Sequence, residues 1–130
     1  MLISSLTFAG ALIERQNNPV LLYRDRLPEA YAADYLAESL KPEDTLVATG
    51  PVDIQTGYYL SLHGIPFERF YHRDHPVEIQ HALVLVRKNA RQKTPESVVS
   101  FFQLDNMLNA ASAELVFEYA NVQIYSVQAK

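Results

Sequence analysis

The stretch Asp44–Gly64, DTLVATGPVDIQTGYYLSLHG, reads as an apolar strand that runs through Gly50-Pro51 into a short, tyrosine-rich helix. A strand-to-helix turn presents free backbone N–H groups at the helix start, where many α/β proteins bind anions. The glycines of a nucleotide-binding turn are missing here, and Asp53 puts a negative charge where an anion would sit. The segment therefore predicts an α/β domain and disfavours an anionic ligand at this corner. Asp53 is expected to cap a helix over 54–63 and Gly64 to stop it in the left-handed region. Gly57 weakens that helix by about 1 kcal/mol relative to alanine.

Upstream, Leu27-Pro28-Glu29 reads as a helix entry, with Ala32, Leu36 and Leu40 recurring at four-residue spacing over 28–40. Lys41-Pro42-Glu43-Asp44 ends the helix, and Thr45–Thr49 is predicted as a strand. Downstream, Phe67–Tyr71 has the aromatic content of a strand, and Ala82–Val86, ALVLV, is the continuous apolar run of a strand covered on both faces. Thr94-Pro95-Glu96 opens another helix with a cap, a first-turn proline and an acid, and Val98, Phe101, Phe102 and Met107 or Leu108 are expected to face inward. In the closing ELVFEYANVQIYSV, alternation on either side of Ala120-Asn121 predicts an antiparallel hairpin. The order of elements predicts one two- or three-layer α/β domain over 1–130, with a mixed, mostly parallel open sheet of about four to six strands and a C-terminal antiparallel hairpin.

Composition narrows the function classes. Apolar residues at 48% and charged residues at 20% lie far from the disordered corner, so a packed core is expected. A net charge of −4 argues against nucleic-acid binding, which needs a concentrated Lys/Arg surface. The basic cluster Arg87, Lys88, Arg91 and Lys93 has two readings, a solvated loop after a buried strand or a patch facing anionic lipid headgroups. Without cysteine, disulfides, thiol nucleophiles and Cys-based zinc sites are excluded. Leu2–Ile13, LISSLTFAGALI, falls short of the about 20 apolar residues that span a bilayer and lacks the basic region of a secretory signal. It reads either as a core element or as the tail of a membrane helix that begins further upstream.

Sites of chemistry are sparse. His72-Arg73-Asp74-His75, with Glu68, Glu78 and His81 near in sequence, has residue types that suit a divalent metal, and equally those of a solvated turn; no metal or other cofactor is expected. Asp53 could serve as a general base or ligand contact, although capping alone explains it. Tyr58 and Tyr59 could line a binding surface or pack half-buried with a wet hydroxyl. There is no GxGxxG, P-loop, GxSxG elbow or HExxH, and no carboxylate pair of the glycosidase type. No catalytic residue is predicted, and the isolated chain is not expected to be an enzyme.

The succession PEAYAADYLAESLKPEDTLVATGPVDIQTGYYLSLHGIP, the buried ALVLV strand, a helix and the closing LVFEYANVQIYSV resembles the C-terminal soluble domain of polytopic lipid-linked-sugar glycosyltransferases. These belong to the dolichyl-phosphate-mannose protein mannosyltransferase and aminoarabinose transferase superfamily. The residues that carry the resemblance are Tyr35, Leu36, Lys41, Pro42 and Asp44; Pro51, Asp53, Tyr58, Tyr59 and Leu60; and Glu118, Tyr119, Asn121, Val122, Ile124 and Tyr125. The resemblance implies a noncatalytic accessory domain on the periplasmic or outer face of the cytoplasmic membrane, positioning acceptor or steadying the membrane part. The implied partners are the membrane-embedded part of the same polypeptide and a lipid-linked sugar or acceptor, with Leu2–Ile13 as the remnant of a preceding membrane helix. The family's catalytic acids lie in loops between membrane helices, and nothing here matches them. The candidate contact surface is Asp53, Tyr58, Tyr59, His72 and His75, at the C-terminal end of the sheet. The alternative is a free-standing, cytoplasmic α/β domain that binds a small molecule or is a small enzyme. In either case an unpaired hairpin edge could support a homodimer.

Overall fold

Pro28 supplies a fixed φ where the first N–H groups of a helix have no partner, and helix α1 (Pro28–Ser39) begins there, with Glu29 in its first turn. The structure, a computed structural model, describes residues 27–130. The apolar stretch Leu2–Ile13 lies outside the described residues. After α1 come strand β1 (Asp44–Val47), helix α2 (Val52–Leu62), a 3₁₀ turn (Phe67–Arg69), strand β2 (His81–Arg87), helix α3 (Pro95–Phe101) and strands β3 (Leu108–Tyr119) and β4 (Val122–Ala129). They form a four-stranded sheet in the order β1-β2-β4-β3.

The sheet is mixed, and the expectation of a mostly parallel one is corrected. Only β1 and β2 run parallel, whereas β4 pairs antiparallel with both β2 and β3. The C-terminal hairpin docks through β4 on β2, so a strand of the hairpin occupies the interior place a further parallel strand would take.

β2 explains the layering. Its residues Ala82 to Val86 are all buried, as expected for a strand covered on both sides. Leu83 and Leu85, with Leu46, Val122 and Ile124, pack against Ala32, Ala33 and Leu36 of α1 and Val52 and Leu60 of α2. Ala82, Val84 and Val86, with Val47 and Val127, pack against Val98 and Val99 of α3 and against Leu104 and Leu108. Each such leucine contributes about 1.5–3 kcal/mol by leaving water.

Local chemistry sets the element ends. The Ile65 N–H reaches the Leu60 carbonyl at 3.0 Å and the Gly64 N–H the Ser61 carbonyl at 3.0 Å, with Gly64 at φ +79°, so the expected glycine stop of α2 is present. Thr94 and Ser97 cap α3 reciprocally. Asp53 does not cap α2. The helix begins at Val52 behind Pro51, one turn position before the aspartate, whose carboxylate accepts the adjacent Ile54 N–H at 2.7 Å. Phe67–Tyr71 is not a strand either. Pro66 leads into the 3₁₀ turn, and only Phe70 bridges to Leu46, the Tyr71 N–H reaching the Leu46 carbonyl at 2.7 Å. Phe101 is exposed rather than inward, with the Arg73 guanidinium 4.8 Å from its ring centroid. Leu108 opens β3, whose register shifts between Asn109 and Glu114.

One buried ionic cluster fastens both helices of the first layer to the sheet. Arg87, the last residue of β2, donates to Glu29 of α1 and to Gln55 of α2. Glu29 is fully buried, and its Oε1 and the Arg87 Nε have no partner among the described residues. A charge in such a place is tolerable only because its counter-charge is beside it.

Two outcomes follow from this packing. Glu29→Ala strands the Arg87 charge and should lower stability by about 3–5 kcal/mol, read as a fall in the urea midpoint; pairing it with Arg87→Met should restore part of the loss. At Gly57, an added Cβ would lie 2.7 Å from Cδ1 and 3.0 Å from Cε1 of Phe67. Overpacking of about 1–3 kcal/mol outweighs the about 1 kcal/mol gain in helix propensity. Gly57→Ala should therefore lower the thermal midpoint, and a higher midpoint would show Phe67 free to move aside.

Candidate functional site

A hydrogen-bonded chain of three side chains lies at the amino ends of the parallel pair. Asp44 and His81 are the first residues of β1 and β2 and stand side by side in the parallel register. On the other side of β2, His81 opposes Gln128 of β4, which puts Ser126 at the diagonal position on the same face. His81 Nδ1 lies 2.7 Å from Asp44 Oδ1, and His81 Nε2 lies 2.7 Å from Ser126 Oγ.

The aspartate is held before it meets the histidine. Its N–H donates to the Lys41 carbonyl at 3.0 Å, and its Oδ2 accepts the Lys41 N–H at 2.9 Å, closing the turn after α1. Arg69 braces that turn from outside, donating to the carbonyls of Lys41 at 2.6 Å and Asp44 at 3.1 Å. The Asp44 side chain is 5% exposed and that of His81 25%. A carboxylate only accepts, so Nδ1 carries the proton toward Asp44, and in the neutral ring Nε2 accepts the Ser126 hydroxyl.

These groups border a groove of about 540 Å³, a size ordinary for small-molecule sites. Leu83 and Val116 supply its apolar surface, Tyr35 and Ser39 its wall from α1, and Lys41, Glu43 and Gln128 its remaining polar groups. Charges of both signs stand at the rim.

The residues singled out from sequence lie elsewhere. Asp53 sits on the first turn of α2; Tyr58 is 61% exposed on that helix, and Tyr59 is half-buried against the core, their rings edge to face at 5.2 Å. His72 and His75 close a tight turn in which the His75 N–H reaches the His72 carbonyl at 3.1 Å, and the His72 ring lies 5.0 Å from that of Phe67. Both histidines line a second groove of about 360 Å³ along β1, with Glu68, Arg69 and Val77, and none of Asp53, Tyr58 and Tyr59 reaches it. Among the described residues no group of three or more His, Cys, Asp or Glu side chains is placed to hold a metal ion. The basic cluster is divided: Arg87 is tied to Glu29, while Lys88 pairs with Glu118 at 2.8 Å and holds its carboxyl below the usual carboxylate range.

In the sequence His81 stands out only as a neighbour of the His72 turn. A histidine at the head of an otherwise apolar strand was the available signal, since that position demands polar partners. Which partners it meets depends on the register of three strands, which no local pattern displays.

No helix among the described residues is long and apolar enough to cross a membrane. Compared with protein-family models, with curated proteins and with solved structures, the chain matches none.

Proposed function

We propose that the chain is an accessory domain of a membrane glycosyltransferase of the superfamily it resembles, taking no part in sugar transfer itself and docking on the membrane-embedded part of the same polypeptide at the outer face of the membrane. The observation that carries this reading is an apolar ridge on α2. Ile54, Tyr58 and Leu62 recur every fourth residue, so they lie on one face of the helix, and they are 61%, 61% and 67% exposed. Three large apolar side chains aligned on one exposed helix face mark a surface suited to a partner. The same helix, with Pro51 at its N-cap, holds the PVDIQTGYYL segment that bears part of the resemblance.

Buried neighbours on α2 hold the ridge rigidly. Val52, Thr56, Gly57 and Leu60 face inward, and Gly57 lets Phe67 press against the helix. Tyr59 belongs to this packing. Tyr58 is thus the tyrosine available for contact.

In the full-length polypeptide, Ile54→Glu and Leu62→Glu should each reduce sugar transfer by about five- to tenfold, the scale of a truncated interface anchor. The isolated chain carrying the same changes should keep its thermal midpoint, since both side chains are already in water. Undiminished transfer at normal protein level, with the ridge charged at both positions, would count decisively against docking through α2.

A further inference from the structure

The Asp44–His81–Ser126 chain stands apart from the α2 ridge and is not used by the docking reading. We propose that Ser126 is a nucleophile, activated by His81 and Asp44, that reacts with small activated acyl esters entering the groove beside it. The proposal stands independently of any role in a membrane enzyme, because it uses different side chains.

Three observations carry it. The first is the order of atoms: carboxylate to Nδ1 and Nε2 to hydroxyl, both at 2.7 Å, which leaves the imidazole lone pair directed at the Ser126 proton. Second, the base is oriented, since the second oxygen of Asp44 is fixed by the Lys41 N–H at 2.9 Å and the carboxylate cannot turn away. The third is access. Ser126 is only partly buried and borders the same groove as His81.

The step balances without any further reagent. Ser126 Oγ bonds to the ester carbonyl carbon as its proton passes to His81 Nε2. The tetrahedral oxyanion then collapses, the bond to the leaving-group oxygen breaks, and the imidazolium returns the proton to that oxygen. Water attacks the acyl-serine by the same route and releases the carboxylic acid. Ser126 pairs with Leu83 on one side and Glu114 on the other, so β4 is an interior strand, and the nearby Gln128 N–H donates to Ser112 Oγ at 3.0 Å. Lys41 and Gln128 line the same groove, and in this proposal their side chains stabilise the oxyanion. Flexible side chains stabilise an oxyanion less well than fixed backbone donors, so turnover is slow and acylation is the step to observe.

The purified chain should be exposed to a fluorophosphonate probe, which loses fluoride when a serine oxygen bonds to phosphorus, and the adduct mapped by peptide mass spectrometry. One adduct per chain on Ser126 is expected, none in Ser126→Ala, and labelling slowed about 100-fold in His81→Gln, with release of nitrophenolate from p-nitrophenyl acetate following the same order. Absence of an adduct on Ser126 in the folded wild-type chain overturns the proposal, as do adducts confined to other residues. Labelling of His81→Gln within about tenfold of wild type overturns it too. Mapping on the unaltered chain decides the matter even where a variant does not fold.

Discussion

The buried Arg87–Glu29 pair is the constraint on which the arrangement of the first layer depends. Its members come from α1 and the end of β2, and Gln55 adds α2, so three elements far apart in sequence meet at one guanidinium. Apolar packing alone is nondirectional and would let α1 slide along the sheet. A desolvated charge cannot slide, because any displacement leaves it without its counter-charge at several kcal/mol. The cluster therefore contributes more to the position of α1 than to net stability, since two apolar residues of matching shape could pack there at comparable or lower free energy.

Pinning α1 at its first turn determines what happens at its last. Eleven residues on from Pro28 the helix ends at Ser39, and the turn that follows is closed by Asp44 through the Lys41 N–H and carbonyl. Hydrogen bonds to a charged group are worth about 1.5–3 kcal/mol each, so the turn and the head of β1 are fixed together. The groove is the space left between the end of α1 and the strands β2, β3 and β4, and its polar lining is a by-product of closing that turn with an ionised residue. Asp44 would need a partner for its other oxygen in any case, and His81 supplies it.

Much of the fold could be read locally, and the difficulties share one cause. The capping residues of α3, the glycine that stops α2, and the unbroken apolar run of β2 each act within a few residues, and each is found where the sequence places it. Asp53 falls inside the first turn of α2 rather than at its cap because the helix begins at Val52 behind Pro51, with no side-chain hydrogen bond at the N-cap. Phe67–Tyr71 imitates a strand because aromatic residues suit strands and packed turns alike; Phe67 is there to fill the space opposite Gly57, a complementarity between segments. The first part of β3, Asn109–Ala113, gives no local strand signal because small and polar residues around a register shift show no alternation. The groove was the least legible feature of all, as His81 meets Asp44 and Ser126 only once both strand registers are set.

Open α/β sheets hold ligands beyond the carboxyl ends of their parallel strands, where loops diverge and helix starts present free N–H groups. In this chain that end of β2 is closed by the Arg87 cluster, and the helix start after β1 carries a carboxylate at Asp53. The parallel pair is also short: four residues of β1 leave little depth for a crevice between diverging loops. The amino ends are different. There the antiparallel β4 extends past His81 to Ala129 and β3 lies beside it, giving the sheet a polar shelf beyond the end of α1. Replacing a parallel neighbour of β2 with a strand of the hairpin thus moves the open face of the domain from one end of the sheet to the other. Polar side chains at strand starts, ordinarily spent on turns, become the walls of a groove.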